Sequence, residues 1–336
     1  MSGPPSDALR EPILVTGATG FIGRHLVQRL VDHGRSVRAL VLPDESIDAP
    51  WADAVEVVRG DVGDRDAVVR AVEGVGTLFH LAAIVEDWGA EGLHRRVTID
   101  GTRHVMEAAA HGGIRAVLAS SIVVYGPQLD GVPCHEDVPH GQALGPYSRS
   151  KQAQERIARE LAATTDLDLV IVRPANVYGP GSRPWVDELV HLLRQRQITL
   201  IGSGDNDAGL VHVDNLVDLL LLAASEPKAR GRIYNAADPG GITFARYVGD
   251  LARLAGARPP KGAPRSVAWV LGVLCEALWK VLPMGRRPPI TREALNLAAA
   301  RYRLPIDRAR DELGYHPRVT YPEALADLET YVQNLP

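Results

Sequence analysis

The stretch Ile13-Leu14-Val15-Thr16-Gly17-Ala18-Thr19-Gly20-Phe21-Ile22-Gly23 decides how the rest of the chain is read. Three apolar residues predict a short buried strand, the glycines a sharp turn, and Phe21 to Val31 the first helix. Gly17 can take backbone angles closed to other residues, Gly20 lets the main chain approach a pyrophosphate, and Gly23 lets helix and strand come close. The free N–H groups and the positive dipole end of the helix then face the phosphates. The spacing is Gly-x-x-Gly-x-x-Gly, one residue longer than the common dinucleotide turn. On its own the glycine pattern also fits a plain tight turn. Its place after a strand and before a helix favours the phosphate reading.

Composition sets outer limits. A chain of 336 residues, 46% hydrophobic and 23% charged, can bury one large core or two joined ones. The net charge of −4 provides no global basic field, which argues against a nucleic-acid partner. Cys134 and Cys275 are the only cysteines, which suggests a reducing compartment without a disulfide framework, and neither has a second ligand at zinc spacing. No metal site is expected. Residues 1–11 are Pro/Ser/Gly-rich without an apolar core and are expected to be a flexible tail rather than a signal peptide, so the protein is read as cytoplasmic.

Strands are expected at Val37–Leu42, Val55–Val58, Thr77–Leu81, Val117–Ala119 and Leu169–Val172, with helices at Arg65–Val72, Thr98–Ala110 and Ser148–Ala163 between them. This alternation implies a doubly wound parallel sheet with helices on both faces and ligands beyond the carboxyl ends of the strands. Residues 12–180 are therefore assigned to a dinucleotide-binding domain, and 181–336 to a smaller, mainly helical substrate region. Two segments of that region, 210–218 and 232–238, are candidates to return to the main sheet.

Tyr147-Ser148-Arg149-Ser150-Lys151 is the second informative stretch. A tyrosine and a lysine four apart share one helix face. A phenol with an ordinary pKa near 10 is a poor base at neutral pH, and an adjacent ammonium is expected to bring it down. Ser121, at a strand end, would offer a hydroxyl to a substrate oxygen. A solvated helix face explains the Tyr/Lys pair alone, but not the order of glycine turn, Ser121 and Tyr147/Lys151.

From Ile13 to about Tyr331 the chain resembles the extended short-chain dehydrogenases/reductases. The matching motifs are TGATGFIG (16–23), GDV (60–62), HLAA (80–83), DGT (100–102), SSIVVYG (120–126), YSRSK (147–151), RPANVYGPG (173–181), LVHVDN (210–215) and ELGYHP (312–317). The resemblance implies a Rossmann-type fold and Ser121, Tyr147 and Lys151 as the catalytic set, with Lys151 also on the nicotinamide ribose. It implies a cofactor site of Gly17, Thr19, Gly20, Phe21, Ile22 and Gly23 at the turn and Asp61 and Val62 at the adenine. Leu81, Ala82 and Ala83 would lie along the cofactor, with Pro174 and Val177 near the nicotinamide. Thr98 stands where the family often has Asn. Val41 and Leu42 are neither the acid of NAD-preferring members nor the Arg of NADP-preferring ones, and Asp44 and Glu45 tilt the expectation toward NAD over NADP.

Many members act on nucleotide sugars. Elimination chemistry is disfavoured, because Ile122 and Val123 follow Ser121 where dehydratases carry Asp-Glu. Ala208 replaces the Arg that grips a sugar diphosphate, whereas Asn176 matches a diphosphate contact. The C-terminal half resembles the 3β-hydroxysteroid dehydrogenase branch. That resemblance implies hydride transfer on a secondary alcohol or ketone of an apolar, steroid-like or long-chain β-keto substrate, with Tyr147 as acid/base. The alternative is a nucleotide-sugar 4-epimerase using the same three residues, and a redox sensor without chemistry is disfavoured by the complete Tyr/Lys pair. Ser266–Leu282 is the most apolar run, with Val267, Val270, Leu271, Leu274, Leu278 and Val281 at helical spacing. It is read first as a helix in a core, and otherwise as a lid or a peripheral membrane-surface helix. The resemblance further implies a homodimer through the Thr98–Ala110 and Ser148–Ala163 helices, where Ala108, Ala109, Ala110, Ala153, Ile157 and Leu161 are apolar enough to serve.

Overall fold

The computed structural model describes residues 8–282 and 287–335, the Lys280 side chain apart. Its strands are β1 (Ile13–Thr16), β2 (Val37–Val41), β3 (Glu56–Arg59), β4 (Thr77–His80), β5 (Arg115–Ala119), β6 (Asp168–Pro174), β7 (Asn176–Tyr178), β8 (Leu200–Ile201), β9 (Leu210–His212), β10 (Ile233–Ala236) and β11 (Gly262–Ala263). Seven of them form one parallel sheet in the order β10-β6-β5-β4-β1-β2-β3. The chain starts in the middle at β1, runs outward to β3, and crosses back to β4 on the other side of β1. Ligand crevices of such sheets open at that reversal.

Alternation along each strand sends neighbouring side chains to opposite faces. Ile13 and Val15 of β1, Val117 of β5 and Val170 and Val172 of β6 join one core, covered by the Phe21–Asp32 and Val213–Ser225 helices. Leu14, Ala116, Leu118, Leu169 and Ile171 join the other, beneath the Arg65–Val72, Gly101–His111 and Pro146–Thr164 helices. With both faces covered, β1, β4 and β5 are buried at every position, their apolar centres bounded by the buried polar residues Thr16, Thr77, His80 and Arg115. A third core, centred on Tyr178, Tyr247, Val190 and Leu328, belongs to the C-terminal half.

Several expectations are corrected. Residues 8–11 are not a flexible tail: Leu9 is buried in the core and the Arg10 carbonyl accepts the Thr77 hydroxyl at 2.8 Å. Residues 1–7 of that segment lie outside the described residues. Of the two segments thought able to rejoin the main sheet, Ile233–Ala236 does so, pairing with β6. Leu210–His212 instead pairs with β7 in a separate two-stranded sheet. The helix expected at Thr98–Ala110 starts earlier, as a π-helical segment, His94–Asp100, that runs into Gly101–His111.

The apolar run 266–282 does not lie in a core. Residues Arg265–Val281 form a helix, but Val267, Val270, Leu271, Leu274, Leu278 and Val281 face solvent rather than a core. The helix packs through its opposite face. Gly272 lies so close to the Arg292–Ala299 helix that a Cβ there would meet Leu295 Cδ1 at 2.6 Å.

Candidate active site

The sheet register places the site. Thr16 pairs with His80, His80 with Leu118, and Ala119 with Val172. The residues just beyond these positions therefore emerge along one edge: the glycine turn, Leu81–Ala83, Ser120–Ser121 and Pro174. Gly17 sits at φ +70°, and a Cβ there would approach Ala82 N to 2.8 Å. At Gly23 it would meet Gly17 O at 2.0 Å, so helix and turn touch backbone to backbone. Gly20 begins the Phe21–Asp32 helix with no side-chain cap and no acid in the first turn. Unsatisfied N–H groups at an exposed helix start suit a pyrophosphate, and the turn fits a dinucleotide on this ground. Thr19 is fixed through its carbonyl, which accepts Arg24 Nε at 2.8 Å, while Phe21 and Ile22 are half-buried at the helix start.

Beyond β3, Asp61 Oδ1 accepts Gly63 N at 2.8 Å and its Oδ2 is bound by Arg96. Val62 is buried beneath Gly101. Leu81, Ala82 and Ala83 are half-buried at the end of β4, and Ala82 N donates to Thr16 Oγ1 at 3.3 Å. His80 bridges Thr16 and Thr102 at 2.8 and 2.9 Å, and burial lowers it to about 3, so it is a neutral strand-end contact. Thr98 does serve a loop contact: its Oγ1 accepts Ile84 N at 3.0 Å. Pro174 ends β6 and is buried, Val177 is half-buried in β7, and Ser182 Oγ holds the Val177 carbonyl at 2.8 Å.

The three candidate catalytic residues converge. Ser121 caps the short helical segment after β5, its Oγ accepting Val123 N at 3.3 Å. Tyr147 is the second residue of the Pro146–Thr164 helix, and its phenol lies close enough to the Ser121 side chain to be influenced by it. Lys151 lies one turn further on, buried, with Nζ donating to Ala119 O at 2.8 Å and Gln154 Oε1 at 2.9 Å.

The electrostatics differ from the expectation of a phenol activated by its neighbouring ammonium. Burial pushes the Tyr147 phenol up to about 12; the Ser121 hydrogen bond opposes the rise and the Glu293 carboxyl adds to it. Burial brings the Lys151 ammonium down to about 7, against the opposing pull of Glu155. Desolvation dominates both groups because each lies in the low-dielectric edge of the sheet. Burial thus favours the neutral form of both groups, the phenol on Tyr147 and the amine on Lys151.

Sequence reasoning missed the groups beneath this set. Glu155 is fully buried and binds Arg173 through both oxygens, Nε at 2.9 Å and Nη2 at 2.7 Å, as well as Ser120 and His140. Gln154 and Glu155 lie three and four residues after Lys151, a helical spacing that does carry a signal. Glu293 has no such signal. It comes from the Arg292–Ala299 helix, is buried, and accepts Ser148 N at 2.8 Å, 145 residues away in sequence. Burial pushes its carboxyl up to about 8, and its second oxygen has no partner among the described residues. Asn176 points inward, its Nδ2 donating to Ala208 O at 2.8 Å.

The NAD dependent epimerase/dehydratase family matches residues 13–237. A 2-alkyl-3-oxoalkanoate reductase of Stenotrophomonas maltophilia (strain K279a) is 32% identical over 332 residues, 94% of this chain and 98% of that protein. A 3 beta-hydroxysteroid dehydrogenase/Delta 5-->4-isomerase of Mycobacterium tuberculosis (strain ATCC 25618 / H37Rv) is 27% identical, over 96% of this chain and 90% of that one. Among solved structures, MoeE5 in complex with UDP-glucuronic acid and NAD superposes with a TM-score of 0.73 at 28% identity, over 96% of this chain and 99% of that chain.

Proposed function

We propose that this chain, which belongs to the NAD dependent epimerase/dehydratase family and is an NAD(P)-dependent oxidoreductase of the extended short-chain type, reduces a ketone on an apolar, steroid-like or long-chain β-keto substrate. The observation that carries the reading is geometric: Tyr147 and Lys151 lie one turn apart on the Pro146–Thr164 helix, with Lys151 Nζ on Ala119 O at 2.8 Å, at the strand end that presents Ser121. The bound nicotinamide supplies or accepts the hydride. Ser121 holds the substrate oxygen. Tyr147 gives its O–H proton to that oxygen as charge develops on it and is left as phenolate, and in the reverse direction it takes the proton back. Lys151, anchored on Ala119 O, is placed to bind the ribose and to hold or release a proton one helical turn away.

The cofactor site is assigned to Gly17, Thr19, Gly20, Phe21, Ile22 and Gly23 with Asp61, Val62, Leu81, Ala82, Ala83, Pro174 and Val177. The preference is given to NAD. Asp44 is exposed and Glu45 half-buried in the loop after β2, and Arg59 ties that loop through the Leu42 and Glu45 carbonyls. An acid there would repel a 2′-phosphate. Cytoplasmic placement belongs to this reading. So does a homodimer, although Ala109 and Ile157 of the expected interface are already buried within the chain's own core.

The second reading, a nucleotide-sugar 4-epimerase, is favoured by the likeness to MoeE5 with its UDP-glucuronic acid and NAD. The inward-turned Asn176 speaks against it. A panel of a 3β-hydroxysteroid, a long-chain β-keto acid and UDP-glucose with UDP-galactose, each with NAD(H) and NADP(H), tests both. Net absorbance change with an apolar member is expected. Sugar interconversion without net absorbance change would overturn the proposal.

A further inference from the structure

The Arg265–Val281 helix has two unlike faces. Ala268, Gly272 and Glu276, four apart, are buried against the Arg292–Ala299 helix, where Glu276 accepts Arg292 N at 2.6 Å and Nε at 2.8 Å. On the other side Val267, Val270, Leu271, Leu274, Leu278 and Val281 are 45–79% exposed. The segment 267–282 carries nine of the fourteen large hydrophobic residues that are exposed among the described residues. Scattered exposed apolar residues are ordinary, but a contiguous stripe marks a docking surface.

Charge identifies the partner. From 251 to 275 the chain has four basic residues and no acid, although the whole chain is net negative at −4; Arg265 is bound to Asp130 at 2.7 Å and Arg253 stands 3.8 Å from Asp250, while the exposed Arg258 and Lys261 lead into the helix. The single acid of the helix, Glu276, is turned inward. Exposed cations leading into an apolar stripe favour an anionic surface over an identical copy of the same face. Seventeen residues give a helix of about 25 Å. No described helix is long and apolar enough to cross a membrane, so this one would lie along a surface.

We propose that the Arg265–Val281 helix docks the protein on a lipid surface bearing anionic headgroups, with the exposed stripe at the acyl boundary and Arg258 and Lys261 among the headgroups. The docked helix is one helix away from the candidate catalytic residues. Its buried face holds the Arg292–Ala299 helix, from which Glu293 reaches Ser148 N and Asn296 Nδ2 reaches Gly126 O at 3.0 Å. Docking would therefore set the helix that carries Glu293 between the lipid and Ser148. Delivery of an apolar substrate by that route rests on the functional reading above, whereas docking does not.

The test is flotation of the full chain with vesicles of phosphatidylcholine alone and of an equimolar mixture with phosphatidylglycerol. Binding to the mixed vesicles, weakened by salt, is expected. Val270→Glu with Leu274→Glu should lower it at least tenfold, with melting temperature and light-scattering mass unchanged. Arg258→Glu with Lys261→Glu, off the apolar stripe, should cost binding to mixed vesicles only. Absence of flotation by the unmodified chain would overturn the proposal, as would retention of binding in both variants. A fall in mass for the stripe variant would also overturn it, by making the face an interface between copies. Flotation needs no substrate, so this outcome and that of the substrate panel are read independently.

Discussion

Glu293→Gln isolates one buried carboxyl and makes its cost measurable. The native carboxyl is pushed to about 8, whereas an unfolded glutamate titrates at 4.5. Between those values the native state holds a proton that the unfolded state has released. The stabilisation is complete below 4.5 and is lost as pH rises toward 8, at about 1.4 kcal/mol per pH unit. From pH 5.5 to 7.5 the loss comes to about 2.5 kcal/mol. Glutamine keeps an acceptor for Ser148 N and does not titrate. The variant should therefore lie within about 1 kcal/mol of the native chain at pH 5.5 and gain on it by about 2.5 kcal/mol at pH 7.5. Lys151, lowered to about 7 from 10.5, makes stability rise with pH over that upper window, but both chains carry it and the difference removes it. Urea unfolding at pH 5.5, 6.5 and 7.5 measures the gap. A gap that stays constant with pH, or one that favours the native chain as pH rises, would refute the placement of Glu293 as a neutral buried acid.

Two further outcomes are expected. Tyr147→Phe should lower turnover by at least about a hundredfold while cofactor affinity, read by fluorescence titration, stays nearly intact; a variant keeping more than a few per cent of activity removes Tyr147 from its role. Arg173→Met leaves Glu155 buried without its cation and should cost about 3–5 kcal/mol at pH 7 by urea unfolding. Glu155 is held down to about 2, through burial outweighed by the Arg173 hydrogen bonds, so its contribution is present above 4.5 and lost as pH falls toward 2. The penalty should therefore shrink in acid, and a loss under about 1 kcal/mol at pH 7 would contradict it.

Part of the site was legible because its causes are local. The three glycines act through their own backbone, as the close approaches at Gly17 and Gly23 confirm. Tyr147 and Lys151 share a helix face by spacing alone, and the Ser121 side chain lies close to the Tyr147 phenol. Other features depend on what surrounds a residue. Lys151 turns to Ala119 O and Gln154 because its buried ammonium needs acceptors, and no spacing rule says which it finds.

By itself the sequence determined the parallel sheet, the glycine turn after β1 and the Tyr147/Lys151 pair on one helix face, since each follows from periodicity or backbone freedom within a few residues, whereas Ser121 joined that pair through the family resemblance. Only the tertiary structure decided which face of the 265–281 helix is buried. An apolar period identifies a stripe but not its partner, and here Ala268 and Gly272 let the opposite face come closest to a neighbouring helix. Only the tertiary structure placed Glu293 beside Ser148, because a contact between residues 145 apart exists once both helices have found the same core.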